Sequence, residues 1–363
     1  MCAADSSSGR LGAVRDSSRP GPVLAMLPPN PVFRFYRGGL GIDLVRGLEP
    51  GTGPGAAEDW VGSTTTSFGH DSEGLARLSD GRILRDVIAA DPVGYLGEEH
   101  VERFGATSGM LVKLLDTAER LAVHFHPGRE FARAELGSRF GKTEAWIILR
   151  AEPGAEMRLG LRAPVDIATL ERWVREQDSA AMLAALNPVP VAPGDVLFVP
   201  AGTLHTIGAG ITLIELQEPS DMSVVLEWQL SGVDSGEEHL QLGWDRVLAA
   251  ASTAPSPPAY FPARATGAGS HGVESLLPGQ ADPYFRAQRV SVGGQELSLA
   301  PSFAVLIVLD GELTVSARDQ EPLRVTQGDA ALIPHGVGET SFAGHGTAIR
   351  CLPPDPGAPE GRW

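Results

Sequence analysis

From Val32 onward the chain alternates short apolar runs with Gly- and Pro-rich breaks, a pattern that predicts strands more often than helices. PVFRFYRGGLGIDLV (31–45) predicts two short strands about a Gly-Gly turn. Residues 82–90 (RILRDVIAA) carry apolar positions at helical spacing and stop ahead of Pro92. MLVKLLD (110–116) and LAVHFH (121–126) predict strands, the second ending at Pro127. EFARAEL (130–136) predicts a helical turn, and EAWIILRA (144–151) an apolar strand. Two short amphipathic helices fit 165–175 and 178–186, ahead of a second strand cluster at 189–228.

These elements divide the chain. Residues 1–30 are rich in Ser, Gly, Pro and Arg and predict a disordered tail, with Met26 as an alternative start. Residues 31–228 predict a first β-barrel with helical insertions, and 229–259 a helix followed by a Pro- and Ala-rich linker. A second, smaller barrel is expected over 260–353, then a tail at 354–363. The fold class is therefore all-β with helical insertions, built as two barrels.

Composition narrows the partners. The net charge of −16 argues against non-specific nucleic-acid binding, which needs a basic surface. No apolar run is long enough to predict a membrane-spanning helix. The two cysteines, Cys2 and Cys351, form no disulfide framework and no Cys-rich zinc site, which suits a cytoplasmic location. Of 29 basic residues only Lys113 and Lys142 are lysine. Arginine cannot imitate a compact ammonium whose pKa moves on burial, so these two become site candidates.

Two segments carry candidate chemistry. In His124-Phe125-His126, residues i and i+2 of a strand share a face, so both imidazoles can reach one ion. Two solvent-facing histidines on an edge strand would give the same spacing. The run Gly194-Asp195-Val196-Leu197-Phe198-Val199-Pro200-Ala201-Gly202-Thr203-Leu204-His205 fits the cupin signature G-x5-P-x-G-x2-H at every fixed position. A turn, a strand and a Pro-Ala-Gly bend would return His205 to the barrel interior opposite His124 and His126. Both barrels are thus expected to be cupin jelly-rolls. The second is degenerate: Gly328-Asp329 and Pro334-His335-Gly336 repeat the signature, but Glu339 stands where the histidine would be. His335 and His345 read as ordinary loop histidines.

A carboxylate is expected to complete the site. Glu130 follows His126 at a generic cupin spacing, whereas Glu144 opens the next apolar strand and can point inward from a rigid element. Glu144 is favoured on that ground. Such a set suits zinc, iron or manganese.

FYRGG (35–39), EDWVGS (58–63), LVKLLDTAERLAVHFHP (111–127), GKTEAWIILRAEPGAE (141–156), LNPVPVAPGDVLFVPAGTLHTIGAG (186–210) and LIELQEPSD (213–221) together resemble class I mannose-6-phosphate isomerase in its short bacterial form. The resemblance implies a zinc-dependent aldose–ketose isomerase with metal ligands at His126, Glu144 and His205. It also sets Lys113 and Lys142 near a sugar-phosphate substrate. Three departures stand out. His124 replaces the glutamine that usually precedes the first metal histidine, and so becomes a fourth candidate ligand. The family's HPDD is HPGR here, with Gly128 and Arg129. Val225 or its neighbour stands where the family carries an arginine near substrate.

The remaining candidates have two readings each. Trp60 is a sugar-stacking surface or core. Glu215 points towards the metal side or away from it. Glu218 and Asp221 act in acid–base chemistry or mark a solvated strand end, the second being favoured. The resulting expectation is isomerisation of mannose 6-phosphate to fructose 6-phosphate, with Lys142, Lys113 and Glu215 as catalytic residues. Lys113, Lys142 and Trp60 are the substrate contacts expected of a monomer or homodimer. The alternatives are a non-catalytic sugar-binding or regulatory cupin and a different metal-cupin enzyme.

Overall fold

The computed structural model describes residues 21–232, 236–261 and 271–359. Its strands form three sheets, of seven, five and eight strands. The first two face each other as the N-terminal barrel. The seven-stranded sheet is buried on both faces, which explains why its strands read as nearly continuous apolar runs. In the Glu144–Ala151 strand, Trp146 and Ile148 point into the barrel, while Ala145 and Ile147 point outward. The outward face packs against Val305, Ile307, Leu332 and Ile349 of the second barrel, so one apolar core joins the two. The outer face of the five-stranded sheet is covered by the Ile167–Glu176 and Ser179–Ala185 helices, through Leu170, Val174 and Met182.

Most elements lie near their expected positions, and the exceptions are set by long-range contacts. The Gly-Gly segment does not turn between two strands. A Pro31–Val32 strand is followed by a Gly41–Val45 helix, whose first N–H donates to Asp116 Oδ2 at 2.8 Å. That tertiary cap, from a residue far along the chain, starts a helix where local pattern predicts a strand. The 121–126 strand contracts to His124–Phe125, because Leu121 N–H donates to Ile207 O and Val123 N–H to the Glu227 carboxylate.

Residues 21–30 are not a loose tail. Ala25–Met26 pairs with the Ala330–Ile333 strand of the second barrel, and Leu27 is buried in the shared core. Residues 1–20 lie outside the described residues. The expected boundary near 260 also moves. Ala259–Phe261 pairs with Val196–Val199 in the first barrel, and the second barrel's own pairing resumes at Gly272–Ser275. Among the described residues between 228 and 259 the helical content is four short turns, Trp228–Ser231, Glu237–His239, Trp244–Val247 and Leu248–Ala250. No helix among the described residues is long and apolar enough to cross a membrane.

Candidate metal centre

Strand register assembles the centre from two rows of side chains. In the five-stranded sheet, Val225, His124, His205 and Leu159 lie side by side across neighbouring strands. His126 follows two residues on from His124, on the same face. The signature bend holds this corner together: Gly202 takes φ +81°, and its N–H donates to His126 O at 2.6 Å. Three ligand atoms, one from each of His124, His126 and His205, lie within 4.8 Å of one another. Glu144, from the facing sheet, brings Oε1 to 3.0 Å from His126 Nε2 and Oε2 to 3.7 Å from His205 Nε2.

The arrangement fits a divalent ion. Each imidazole has Nδ1 at 2.8–2.9 Å from a backbone carbonyl, those of Ala122, Met222 and Thr203, which leaves Nε2 directed at the shared point. Outer partners of this kind orient metal-binding histidines. Both carboxylate oxygens of Glu144 and Nε2 of His205 are buried without a hydrogen-bond partner. Burial of such groups is unfavourable unless something satisfies them, and a cation would. Burial first, and His205 next, push the His124 pKa down to about 3. Burial also holds His126 and His205 well below their ordinary value. All three are therefore neutral near pH 7, the form in which imidazole binds metal. Lys142 stands beside them, with Nζ 2.9 Å from Glu144 Oε1, at an angle that makes no hydrogen bond, and 3.2 Å from His126 Nε2.

A second row crosses the seven-stranded sheet, with Trp60, Lys113, Glu215, Trp146 and Leu197 in register. Lys113 Nζ lies 3.1 Å from Glu215 and 3.4 Å from Glu58, with Asp221 at 3.9 Å. Burial alone would lower the lysine's pKa, but Glu58 and Glu215 outweigh it and raise it. Glu215 Oε1 accepts from Trp146 Nε1 at 3.1 Å. Its pKa is raised, by burial first and by Glu144 next. Glu58 accepts from Tyr36 and, at 2.6 Å, from Trp60 Nε1. Arg34 closes the network. Its two terminal nitrogens reach Asp221 at 3.0 and 3.4 Å, and NH1 lies 3.2 Å from Ser67 Oγ.

A cavity unites the two rows. Its lining includes His124, His205, Lys113, Lys142, Glu144 and Glu215. Glu130 is exposed on the Arg129–Leu136 helix, away from it. Trp60 does not offer a stacking face: it is fully buried, with Lys113 Nζ 4.9 Å from its ring centroid. Glu218 and Asp221 are not a solvated strand end. Both are buried, Glu218 against Arg129 and the Thr143 N–H, Asp221 against Arg34. Arg129, one of the departures noted above, also lies over the Tyr284 ring at 4.4 Å. Arg34, Tyr36 and Glu58 had no local signal. Only the pairing of Glu58–Trp60 with the Leu111–Thr117 strand brings Glu58 beside Lys113.

The chain is similar to known proteins along most of its length. The family model described as mannose-6-phosphate isomerase, cupin domain, matches residues 280–353. Mannose-6-phosphate isomerase ManA of Bacillus subtilis is 29% identical over 262 residues, covering 70% of this chain and 79% of the relative. The Streptococcus mutans mannose-6-phosphate isomerase is 27% identical over 268 residues, covering 70% and 78%. Among solved structures, the Bacillus subtilis mannose 6-phosphate isomerase superposes with a TM-score of 0.68 at 22% identity, covering 91% of this chain and 99% of that one. A variant of Salmonella typhimurium phosphomannose isomerase gives 0.67 at 16%, covering 92% and 100%. The structures establish the shared fold. Residues 280–353 thus match the cupin domain of mannose-6-phosphate isomerases, and most of the chain is similar to those enzymes in sequence and in its two-barrel cupin fold.

Proposed function

We propose that the protein is a metal-dependent aldose–ketose isomerase of a phosphorylated sugar, interconverting mannose 6-phosphate and fructose 6-phosphate. The observation that carries this reading is the meeting of the imidazole cluster with Glu144, Lys142 and Glu215 around one cavity, in a chain whose relatives bear that name. His124, His126, Glu144 and His205 would hold the ion, which we take to be zinc. When bound, it supplies Lewis-acid stabilisation of the negative charge that develops on the sugar oxygens.

The chain's own groups supply the rest. Glu215, a buried carboxylate with a raised pKa, suits a base that takes the proton from C2 and returns it to C1 through an enediol. Trp146 and Lys113 hold its two oxygens in place. Lys142 gains freedom once Glu144 has another cation to bind, and its ammonium then suits an oxygen at the reacting carbons. Lys113 is committed to carboxylates, which favours an orienting role over a phosphate grip. We take the protein to be cytoplasmic, acting as monomer or homodimer.

A coupled assay for fructose 6-phosphate, on protein stripped with chelator and reloaded with zinc, tests the reading. Turnover should disappear and return. Full zinc occupancy without turnover would end it and favour the sugar-binding cupin, for which Val225 in the family's arginine position is the supporting observation. Iron in the purified protein, with oxygen consumption, would favour a different metal-cupin enzyme.

A further inference from the structure

We propose that the second barrel binds one small oxyanion at the place corresponding to the metal centre of the first, with Arg350 and Thr340 as its donors. The correspondence rests on register. In the first barrel Lys113, Glu215, Trp146 and Leu197 lie side by side, Leu197 three residues beyond Gly194. In the second, Gln288, Arg350, Leu306 and Ala331 lie side by side, Ala331 three residues beyond Gly328. Likewise, Thr340 pairs with Leu299 and Ala317 as His205 pairs with His124 and Leu159. Arg350 therefore stands where Glu215 stands, and Thr340 where His205 stands. Glu339, which holds the histidine's place when the signature is counted along the chain, is exposed.

The chemistry at this place has changed sign. Leu299 holds the position of His124, and Ala304 that of Glu144, so the corresponding cation ligands are gone. Arg350 points inward. Its neighbours Ile349 and Cys351 pack towards the first barrel, whereas Ala348 and Leu352, on its own face, pack in the second barrel's interior. The residue is 4% exposed. Nη1 donates to Gln288 Oε1 at 3.1 Å and Nη2 to Ala300 O at 3.4 Å. Among the described residues Nε is buried without a hydrogen-bond partner, and no carboxylate pairs with the guanidinium. Thr340 shares the face of Phe342 and carries a second buried atom without a partner, Oγ1. Ala300 directly follows Leu299, the register partner of Thr340, so the guanidinium reaches that row.

A guanidinium does not shed its proton near neutral pH, and burying its charge unpaired is unfavourable. Burial first, and Arg286 next, bring the Arg350 pKa from 12.5 down to about 10, so the group stays charged. Its two partners are neutral carbonyl oxygens and do not offset that charge. An oxyanion does. The edge formed by Nε and Nη2 can present two parallel N–H bonds, a spacing that two oxygens of phosphate, sulfate or carboxylate accept. The Thr340 hydroxyl can donate to a further oxygen. The surrounding Leu306, Ala331 and Phe342 are apolar, which favours a small ion over an extended molecule and strengthens its attraction to the guanidinium.

Calorimetric titration of the full-length, zinc-loaded protein with inorganic phosphate, sulfate and acetate tests this, at an ionic strength held constant with chloride. At least one of the three should fill a single saturable site with a Kd of about 1 mM or tighter, and their order identifies the geometry of the oxyanion. Arg350→Met should remove that site, and Thr340→Val should weaken it by about tenfold. The preferred ion should also raise the urea midpoint of the natural protein but not that of Arg350→Met. No saturable site in the natural protein, or a site that survives Arg350→Met, would overturn the inference. So would an equal rise of both urea midpoints, which is what exclusion of the ion from the protein surface produces. Should Arg350→Met fail to fold, Thr340→Val decides, and an unchanged affinity there overturns the site.

Discussion

The ammonium nitrogen of Lys142 stands 3.2 Å from Nε2 of His126 and 2.9 Å from Oε1 of Glu144. It therefore occupies the neighbourhood that an ion shared by those two atoms would take. Loading the centre means moving one positive charge aside for another.

Replacing that ammonium should separate metal binding from turnover. In Lys142→Met, zinc affinity should rise by about tenfold or more, since a like charge a few ångströms away is gone. Isomerase activity should fall by about 100-fold. Lys142→Arg should keep metal content while activity drops, because a planar guanidinium does not replace a point charge. Chelator competition and the coupled assay measure the two quantities. An unchanged affinity in Lys142→Met would show that the ammonium does not compete with the ion.

The histidines should differ in what they cost. His205→Ala removes a buried imidazole from the centre of its row and should release the ion and abolish activity. His124→Gln installs the glutamine that the resemblance to mannose-6-phosphate isomerases would place there and should retain zinc, with affinity lower by about 10–100-fold. Metal content after dialysis reads both. Equal affinity in His124→Gln and the natural protein would take His124 out of the ligand set.

Val225→Arg adds a guanidinium to the wall of the metal cavity, beside His124 in the sheet. It should raise kcat/KM for mannose 6-phosphate by about tenfold or more, with a stability cost of about 1–3 kcal/mol for burying charge at an apolar position. Steady-state kinetics and thermal unfolding report the two effects. No gain in a folded, zinc-loaded variant would mean that the missing arginine is not what limits the reaction.

Glu58 predicts an acid limb to the stability curve. Burial alone would raise its pKa, but Lys113 and Arg34 outweigh burial and bring it from the ordinary 4.5 down to about 2. The folded value lies below the unfolded one, so the stabilisation is fully present above about pH 4.5. It is lost as pH falls through about 2. Its size is on the order of 3 kcal/mol. Urea unfolding across that window should show a steeper loss in the natural protein than in Glu58→Gln. Parallel curves would remove Glu58 as the source.

The candidate centre was legible where its side chains sit in short, local patterns. The His124–His126 spacing and the turn-and-bend run ending at His205 each specify a strand face, and a strand face is a statement about direction. Glu144 could be weighed against Glu130 on the same ground, inward strand against exposed helix. Arg34, Tyr36 and Glu58 were not legible, because their approach to Lys113 and Asp221 depends on which distant strands pair. The Gly41–Val45 helix escaped for the same reason, its cap being supplied by Asp116. Trp60 could not be decided from its neighbours, because an aromatic in a polar-flanked motif fits a sugar surface or a core equally, and only the sheet pairing buries it beside Lys113.

The Ala25–Met26 strand, which belongs to the second barrel although it precedes the whole of the first, sets an order of events during synthesis. Leu24 N–H donates to Gln320 Oε1 across 296 positions of sequence. A ribosome delivers those early residues long before their partners exist. The first barrel can close as it emerges, but the C-terminal one must wait for its opening strand to be recaptured. Closure of the second barrel is thus deferred until its own strands, through Leu352, have left the exit tunnel.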